Sequence, residues 1–179
     1  MKSHFFRGTV GAICLAAFAV TGAFAQATSD NRVAAQTDWS VFVDDNPTQC
    51  WAVSGPKDTV NTDSDGRPKA VRRGQILMFV TWSPSAEISA QVSFTGGYPF
   101  ASGSTVKLEI GENTFELFTT GENAWAASTA DDAKIVTAMK RGAAAVLTAR
   151  SGRGTVTKDT FSLLGFTAAV EEAGTRCDG

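Results

Sequence analysis

The sequence predicts an all-β fold: an antiparallel β-sandwich or flattened barrel of about nine short strands with two short helices. Apolar residues alternate with polar ones over residues 88–94, the pattern of a strand that has one face exposed. Residues 106–110 and 114–118 are two further β-forming runs, and the short turn at Gly111 between them predicts a hairpin. Only two segments show helical periodicity, and the sequence contains no internal repeat.

Nine segments share the marks of short strands, namely β-branched, aromatic or alternating apolar residues bounded by turn-forming residues. These segments are residues 39–43, 50–54, 75–82, 88–94, 106–110, 114–118, 124–126, 143–149 and 154–158. The third segment is apolar on both faces, which predicts a central strand that is covered on both sides. Residues 55–74, which precede it, are predicted to form a long polar connection.

The first predicted helix follows residue 126. Ser128 or Thr129 caps its start, with an acidic residue three positions further on, and Gly142 ends it. Ile135 and Met139 lie on its apolar face.

The second predicted helix follows the last strand, and Ser162 is its expected N-cap. Leu163, Phe166 and Val170 share one face of this helix. Gly165 is expected inside the helix, where close approach of another backbone would account for a glycine. Gly174 is the expected stop.

The first 25 residues have the three parts of a secretory signal peptide. Lys2 and Arg7 provide the positive region, residues 10–20 are apolar, and Ala23 and Ala25 form a cleavage site after Ala25. The apolar run is too short for a membrane span, so we expect no transmembrane segment in the mature chain. We expect a periplasmic or secreted protein with a flexible leader at 26–37 and a single domain at 38–179.

The mature chain is mildly acidic. Without Lys2 and Arg7 it carries 14 basic and 18 acidic residues, a net charge of −4. Because it has no basic run, binding to nucleic acid or to anionic lipid is disfavoured.

The one histidine, His4, lies in the predicted signal peptide. The mature chain therefore has no Ser-His-Asp or Cys-His catalysis and no histidine metal site. Neighbouring carboxylates such as Asp131 and Asp132 point apart on a helix, so a hydrolase would need carboxylates that the fold brings together. We expect a protein that is not an enzyme and uses no cofactor.

Cys50 and Cys177 are the two cysteines of the mature chain, because Cys14 lies in the signal peptide. In an oxidising compartment a Cys50–Cys177 disulfide is the expected state. Two free thiols or a redox pair are the alternatives, although Cys-x-x-Cys spacing is absent.

Residues 61–66 begin like a calcium-binding loop, since Asn61, Asp63 and Asp65 place oxygen-bearing side chains at alternate positions before a glycine. Arg72 stands at the twelfth position, where such a loop has a bidentate Glu. The segment is thus either a small-ligand or calcium-binding site or an ordinary surface turn, and we expect no metal site elsewhere.

The candidate partner-binding residues are Tyr98, Pro99 and Phe100, which lie in a loop flanked by glycine. The alternative is a loop that folds back over a sheet edge. Two basic clusters, at 67–73 and 150–153, are either solvated surface or partner contacts.

Several motifs together resemble the invasion-associated locus B family of secreted α-proteobacterial proteins. They are Trp39 and Cys50, GYPF at 97–100, AW at 124–125, AMKRG at 138–142, SGRGT at 151–155, DTFSLLGFTAA at 159–169, and Cys177. The resemblance spans about residues 38–177.

The resemblance implies an envelope protein that is not an enzyme and binds another protein or an envelope component. The founding member of the family is associated with bacterial entry into red cells and is found in the periplasm or at the outer membrane. The family offers no catalytic residues to transfer to this sequence.

Overall fold

The computed structural model describes residues 31–177, and the predicted signal peptide and residues 26–30 of the predicted leader lie outside this range. The described chain has eleven strands and two α-helices. The strands are β1 Arg32–Gln36, β2 Trp39–Asp45, β3 Thr48–Ser54, β4 Asp58–Thr62, β5 Leu77–Ser83, β6 Ile88–Thr95, β7 Thr105–Ile110, β8 Asn113–Thr120, β9 Asn123–Trp125, β10 Ala144–Arg150 and β11 Val156–Ser162. The helices are α1 Thr129–Arg141 and α2 Phe166–Cys177.

All these strands join one antiparallel sheet in the order β1-β2-β3-β5-β6-β9-β8-β7-β10-β11-β4. The sheet does not close into a barrel within residues 31–177, but it bends until its two ends meet. The indole Nε1 of Trp39 on β2 donates to the carbonyl of Ser162 on β11 at 2.9 Å. Lys57, just before β4, pairs with Asp38 at 2.5 Å. The all-β antiparallel class predicted from the sequence is confirmed.

Each of the nine predicted segments overlaps a strand, but two strands are absent from the prediction. β1 forms within the expected flexible leader at 26–37, and β4 forms within the expected polar connection at 55–74. Both are edge strands of the sheet, and most of their side chains are exposed. The alternation that identifies a strand comes from burying one face, so these two strands carry little of that signal.

The bend encloses one continuous hydrophobic core. Met78 and Val80 on β5 face Val92 and Phe94 on β6, and all four are fully buried. The Phe94 ring meets the ring of Phe161 on β11 edge-on, with 6.1 Å between the centroids. Full burial of such a side chain contributes about 1.5–3 kcal/mol, so contacts between distant strands hold the two halves of the sheet together.

Helix α1 begins as the sequence predicts. The Ser128 hydroxyl accepts a hydrogen bond from the Asp131 backbone N–H at 3.2 Å, and Gly142 caps the other end. The side chain of Asp132 turns inward and accepts from the Val92 backbone N–H on β6 at 2.8 Å. This bond ties the first turn of the helix to the middle of the sheet.

The second helix differs from the prediction at both ends. Ser162 belongs to β11, and α2 begins only at Phe166. Gly165 precedes the helix with φ 88°, where an added Cβ would lie 1.8 Å from the Gln36 carbonyl oxygen, so the expected close approach is with β1. Gly174 lies inside the helix rather than at its end and packs against the indole of Trp82.

The predicted disulfide joins Cys50 on β3 to Cys177 at the end of α2, with the two Cα atoms 6.0 Å apart. Both residues are buried, and 127 positions separate them in the sequence. The bridge therefore attaches the last helix to β3, the third strand of the sheet.

Candidate functional site

A cavity of about 600 Å³ opens at the side of the sheet that carries β11. Residues 69–73, 97–99 and 151–153 form its walls, together with Glu122 and Thr157. We call this cavity the basic groove. Three irregular segments that are far apart in the sequence build it: the β4–β5 connection, the loop after β6 and the β10–β11 loop.

Arg73 anchors the β4–β5 connection to β11. Its Nη1 and Nη2 donate to the two carboxylate oxygens of Asp159 at 2.7 and 2.6 Å. Its Nε donates to the Gly96 carbonyl at 2.9 Å, and Nη1 also reaches the Asn61 side-chain oxygen at 3.3 Å. The Arg73 side chain is 6% exposed and that of Asp159 0%, so this is a buried bidentate ion pair with additional hydrogen bonds.

Tyr98 completes this buried polar cluster. The Arg73 guanidinium lies 5.0 Å from the centroid of the Tyr98 ring, a cation–π contact. The Tyr98 hydroxyl shares a 2.5 Å hydrogen bond with the Thr157 hydroxyl on β11. Burial raises the pKa of Tyr98 above its ordinary value of 10.0, so the phenol stays protonated at neutral pH. Burial likewise raises the pKa of Asp159, and its hydrogen bonds from Arg73 act in the opposite direction.

The loop that carries the predicted partner-binding residues folds back onto the sheet. Phe100 is only 8% exposed and packs against Phe94, with 6.1 Å between the ring centroids. Its backbone N–H donates to the Gly121 carbonyl at 2.8 Å, and the Gly152 N–H donates to the Pro99 carbonyl at 3.0 Å. Of the three predicted residues, Pro99 is exposed in the groove wall, Tyr98 is half-buried and Phe100 is core.

Two glycines let the walls approach each other. Gly97 has φ 70°, and a Cβ at this position would lie 2.7 Å from the Gly74 carbonyl oxygen. The Gly74 N–H donates to the Gly97 carbonyl at 2.8 Å, so the β4–β5 connection runs directly against the loop after β6. A side chain at position 97 would separate these two walls.

The groove is electropositive at its rim. Lys69, Arg72 and Arg153 line it, are exposed, and form no ion pair with any residue in the range 31–177. Glu122 is the one carboxylate among the lining residues that the structure describes. The two basic clusters seen separately in the sequence therefore meet at one site.

The sequence also matches a family profile described as "Invasion associated locus B (IalB) protein" over residues 39–174. The chain belongs to the IalB family. No curated protein and no solved structure matches it. Two of the motifs that carry the resemblance to the IalB family, at 97–100 and 151–155, lie side by side in the groove, where the Phe100 and Ser151 backbones form a β-bridge.

The candidate calcium loop of this IalB-family protein forms a surface turn in which the candidate side chains bond to other groups of the protein. The Asp63 carboxylate accepts from the backbone N–H groups of Asp65 and Arg67, both at 2.9 Å. The Arg67 guanidinium lies 3.0 Å from the Asp65 carboxylate, while the Asn61 side chain is turned toward Arg73. The three candidate ligands thus bond to the protein's own groups, and within residues 31–177 no three His, Cys, Asp or Glu side chains are grouped as metal ligands.

Sequence reasoning missed the partner of Arg73. Asp159 alternates with Thr157 and Phe161 on the inward face of β11, and all three are buried. A charged residue in phase with buried positions is the one available signal of a buried ion pair, since such residues are rarely buried unpaired.

None of the helices described in residues 31–177 is long and apolar enough to cross a membrane.

Proposed function

We propose that this IalB-family protein is a non-enzymatic protein of the cell envelope that binds another protein or an envelope component through the basic groove. The observation that carries the proposal is that the groove has walls held in place by a buried ion pair and, at its opening, cationic side chains without ion-pair partners in residues 31–177. Arg73 and Asp159 fix the walls, whereas Lys69, Arg72 and Arg153 are exposed and unpaired within residues 31–177. Interaction sites commonly place such groups on loops that a rigid scaffold positions.

The chemistry of the groove supports binding rather than catalysis. The guanidinium groups keep their charge throughout the physiological range and cannot act as general bases. The Tyr98 phenol stays protonated, and the Asp159 carboxylate is fully engaged by Arg73. The exposed guanidinium groups can recognise and orient a ligand, whereas the Tyr98 phenol and the Asp159 carboxylate are engaged within the wall and are not free to act as an acid or a base.

The proposed location is the periplasm or the medium, after removal of the signal peptide behind Ala25. Membership of the IalB family and the Cys50–Cys177 disulfide fit a protein outside the cytoplasm, because disulfides persist in oxidising compartments. Intact mass and N-terminal sequencing of the natural protein test this point. A mature chain that begins at Gln26 is expected, and a chain that retains residues 1–25 would contradict it.

Photo-crosslinking tests the binding function. A photoreactive residue replaces Val71, which is exposed in the groove wall, and the matched control carries it at Thr137 on the exposed face of α1. Each purified protein is irradiated with an envelope extract of the source organism. A specific adduct from position 71 and none from position 137 is expected. Equal labelling from both positions, or no adduct from position 71, would overturn the proposal.

A further inference from the structure

One wall of the basic groove is a strip of unpaired backbone. Before this strip, β4 continues into a short hairpin in which the Lys69 N–H donates to the Asn61 carbonyl at 2.9 Å. After the strip, the Gly74 N–H donates a hydrogen bond to the Gly97 carbonyl. Between them, the backbone groups of Ala70, Val71 and Arg72 make no hydrogen bond to any other residue in the range 31–177.

This strip borders the groove directly. Residues 69–73 all line the cavity, so this segment forms one of its walls. Exposed N–H and C=O groups in such a row are a template for pairing with another extended chain. Ala70, Val71 and Arg72 are all exposed, so an incoming chain would meet no covering element of the described structure.

From this strip and the charges around it, we infer that the groove takes an extended acidic peptide segment of a partner protein, which pairs with the backbone of residues 70–72 and sets its carboxylates against Lys69, Arg72 and Arg153. The inference rests on the proposed function and names the chemistry of the partner. Addition of an extended peptide to an exposed edge is a common recognition mode, in which main-chain bonds supply affinity and side chains supply specificity.

Charge complementarity selects an acidic segment. Arg72 and Arg153 line the groove from two different segments, the β4–β5 connection and the β10–β11 loop, so carboxylates from one extended chain could pair with both guanidinium groups. Arg73 is excluded from this role, because both Nη atoms of its guanidinium already donate to Asp159. Glu122, which also lines the groove, would repel an acidic chain that approaches it and so limits which part of the groove the chain uses.

A phosphate-rich envelope polymer or an anionic membrane fits the groove less well. Neither offers a row of amide donors and acceptors to the backbone at 70–72. The whole sequence also carries a formal net charge of −2, so a large anionic surface would be repelled by the rest of the molecule. A single peptide segment contacts only the groove, where the three exposed cations outnumber the one carboxylate, Glu122.

Fluorescence anisotropy with defined peptides tests the inference on the mature protein. The probe is a labelled peptide of about eight residues with alternating Glu and Val, a length typical of a strand, and its control has Gln in place of each Glu. The variants are Arg72→Glu/Arg153→Glu and, with less disturbance, Arg72→Gln/Arg153→Gln. Arg141→Glu is the matched control, because Arg141 is an exposed cation that lines a separate cavity beside α1. Thermal unfolding of each variant verifies that it is folded.

The acidic peptide is expected to bind, and the Gln peptide to bind much more weakly. The double Glu variant should weaken binding about tenfold or more, the double Gln variant less, and Arg141→Glu hardly at all. Raising the salt from about 0.05 to about 0.5 M should weaken binding, because the rim charges are exposed.

Equal binding of the Glu and Gln peptides, or no binding of either, would overturn the inference. Binding to inorganic phosphate or to vesicles of an anionic phospholipid in preference to the acidic peptide would overturn it as well. In any of these cases a specific cross-link from position 71 would leave the proposed function standing. Loss of that cross-link removes the proposed function itself, so the two failures are distinguishable.

Discussion

Arg73 and Asp159 form a bidentate ion pair, with contacts of 2.7 and 2.6 Å, that fixes an irregular connection to an inward-facing position of β11. The pair joins residues 86 positions apart in the sequence. Since the same guanidinium also bonds to Gly96 and contacts the Tyr98 ring, it sets the position of two walls of the basic groove at once. The pair therefore links the stability of the fold to the shape of the site.

Removing one partner of this pair should be costly. Asp159→Asn leaves the Arg73 charge buried without its counter-charge, and we expect a loss of about 3–5 kcal/mol in the free energy of unfolding. The change Arg73→Met/Asp159→Leu leaves no buried charge and should cost less than Asp159→Asn alone. Urea unfolding measures all three proteins.

The control for this prediction is an exposed ion pair. Lys140 and Glu171 lie 3.1 Å apart with side chains 37% and 63% exposed, so Lys140→Ala should cost only about 0–1 kcal/mol. If Asp159→Asn were as mild as Lys140→Ala, the Arg73 pair would not anchor the groove.

Gly97 should tolerate a side chain less well than a glycine of the same backbone conformation. Gly97 and Gly103 have φ of 70° and 69°, so Ala at either position carries a similar backbone cost of about 1–2 kcal/mol. An added Cβ at Gly103 meets nothing within 4 Å, whereas one at Gly97 overlaps the Gly74 backbone. Denaturant unfolding should show Gly97→Ala to be the more destabilised variant. Equal losses would mean that the two walls are not in close contact.

Two neighbouring carboxylates of α1 should respond to pH with opposite signs. Hydrogen bonds from Lys134 and Ser128 lower the pKa of Asp131 below 3.8, so its stabilising effect is present above that pH and is lost as the pH falls. Burial raises the pKa of Asp132 above 3.8, so its ionisation lowers stability as the pH rises through that range.

Unfolding curves collected between about pH 3 and about pH 7 test this pair. Relative to the unchanged protein, Asp131→Asn should lose stability as the pH rises, while Asp132→Asn should gain it. Asn at position 132 can still accept the hydrogen bond from the Val92 N–H. Changes of the same sign in both variants would contradict the assignment of their environments.

The disulfide should contribute a large part of the stability. For cysteines 127 positions apart, chain entropy alone predicts a loss of about 4–5 kcal/mol in Cys50→Ala/Cys177→Ala. Natural protein isolated without reductant should contain no titratable thiol. Two titratable thiols in that material would show that the last helix is not covalently attached to β3.

The sequence predicted those parts of the fold in which burial leaves a periodic pattern. Most of the nine predicted strands lie where alternation or continuous apolar runs are strong, and the sequence placed the cap of α1 at Ser128 or Thr129, of which Ser128 is the cap in the structure. β1 and β4 were missed because exposed edge strands have no buried face. The start of α2 was placed too early, because Leu163 is buried in phase with the helix although it belongs to the turn before it.

The candidate site was predicted only in pieces. Tyr98, Pro99 and the two basic clusters were recognised individually, but their meeting depends on the bend of the sheet, which no local pattern encodes. Whether Phe100 is exposed or buried also depends on a tertiary contact, because its ring packs against Phe94 on β6. The Asp159 pairing joins segments whose separation in sequence exceeds any spacing rule.

Whether the basic groove is the partner-binding surface is tested most directly by quantitative capture of the protein that cross-links from position 71. Capture by Arg72→Glu/Arg153→Glu is compared with capture by the unchanged protein and by Arg141→Glu, with thermal unfolding recorded for each. If the basic groove binds the partner, the double variant keeps its unfolding temperature and captures at least about tenfold less partner, while Arg141→Glu captures as much as the unchanged protein. Undiminished capture by the folded double variant would contradict it.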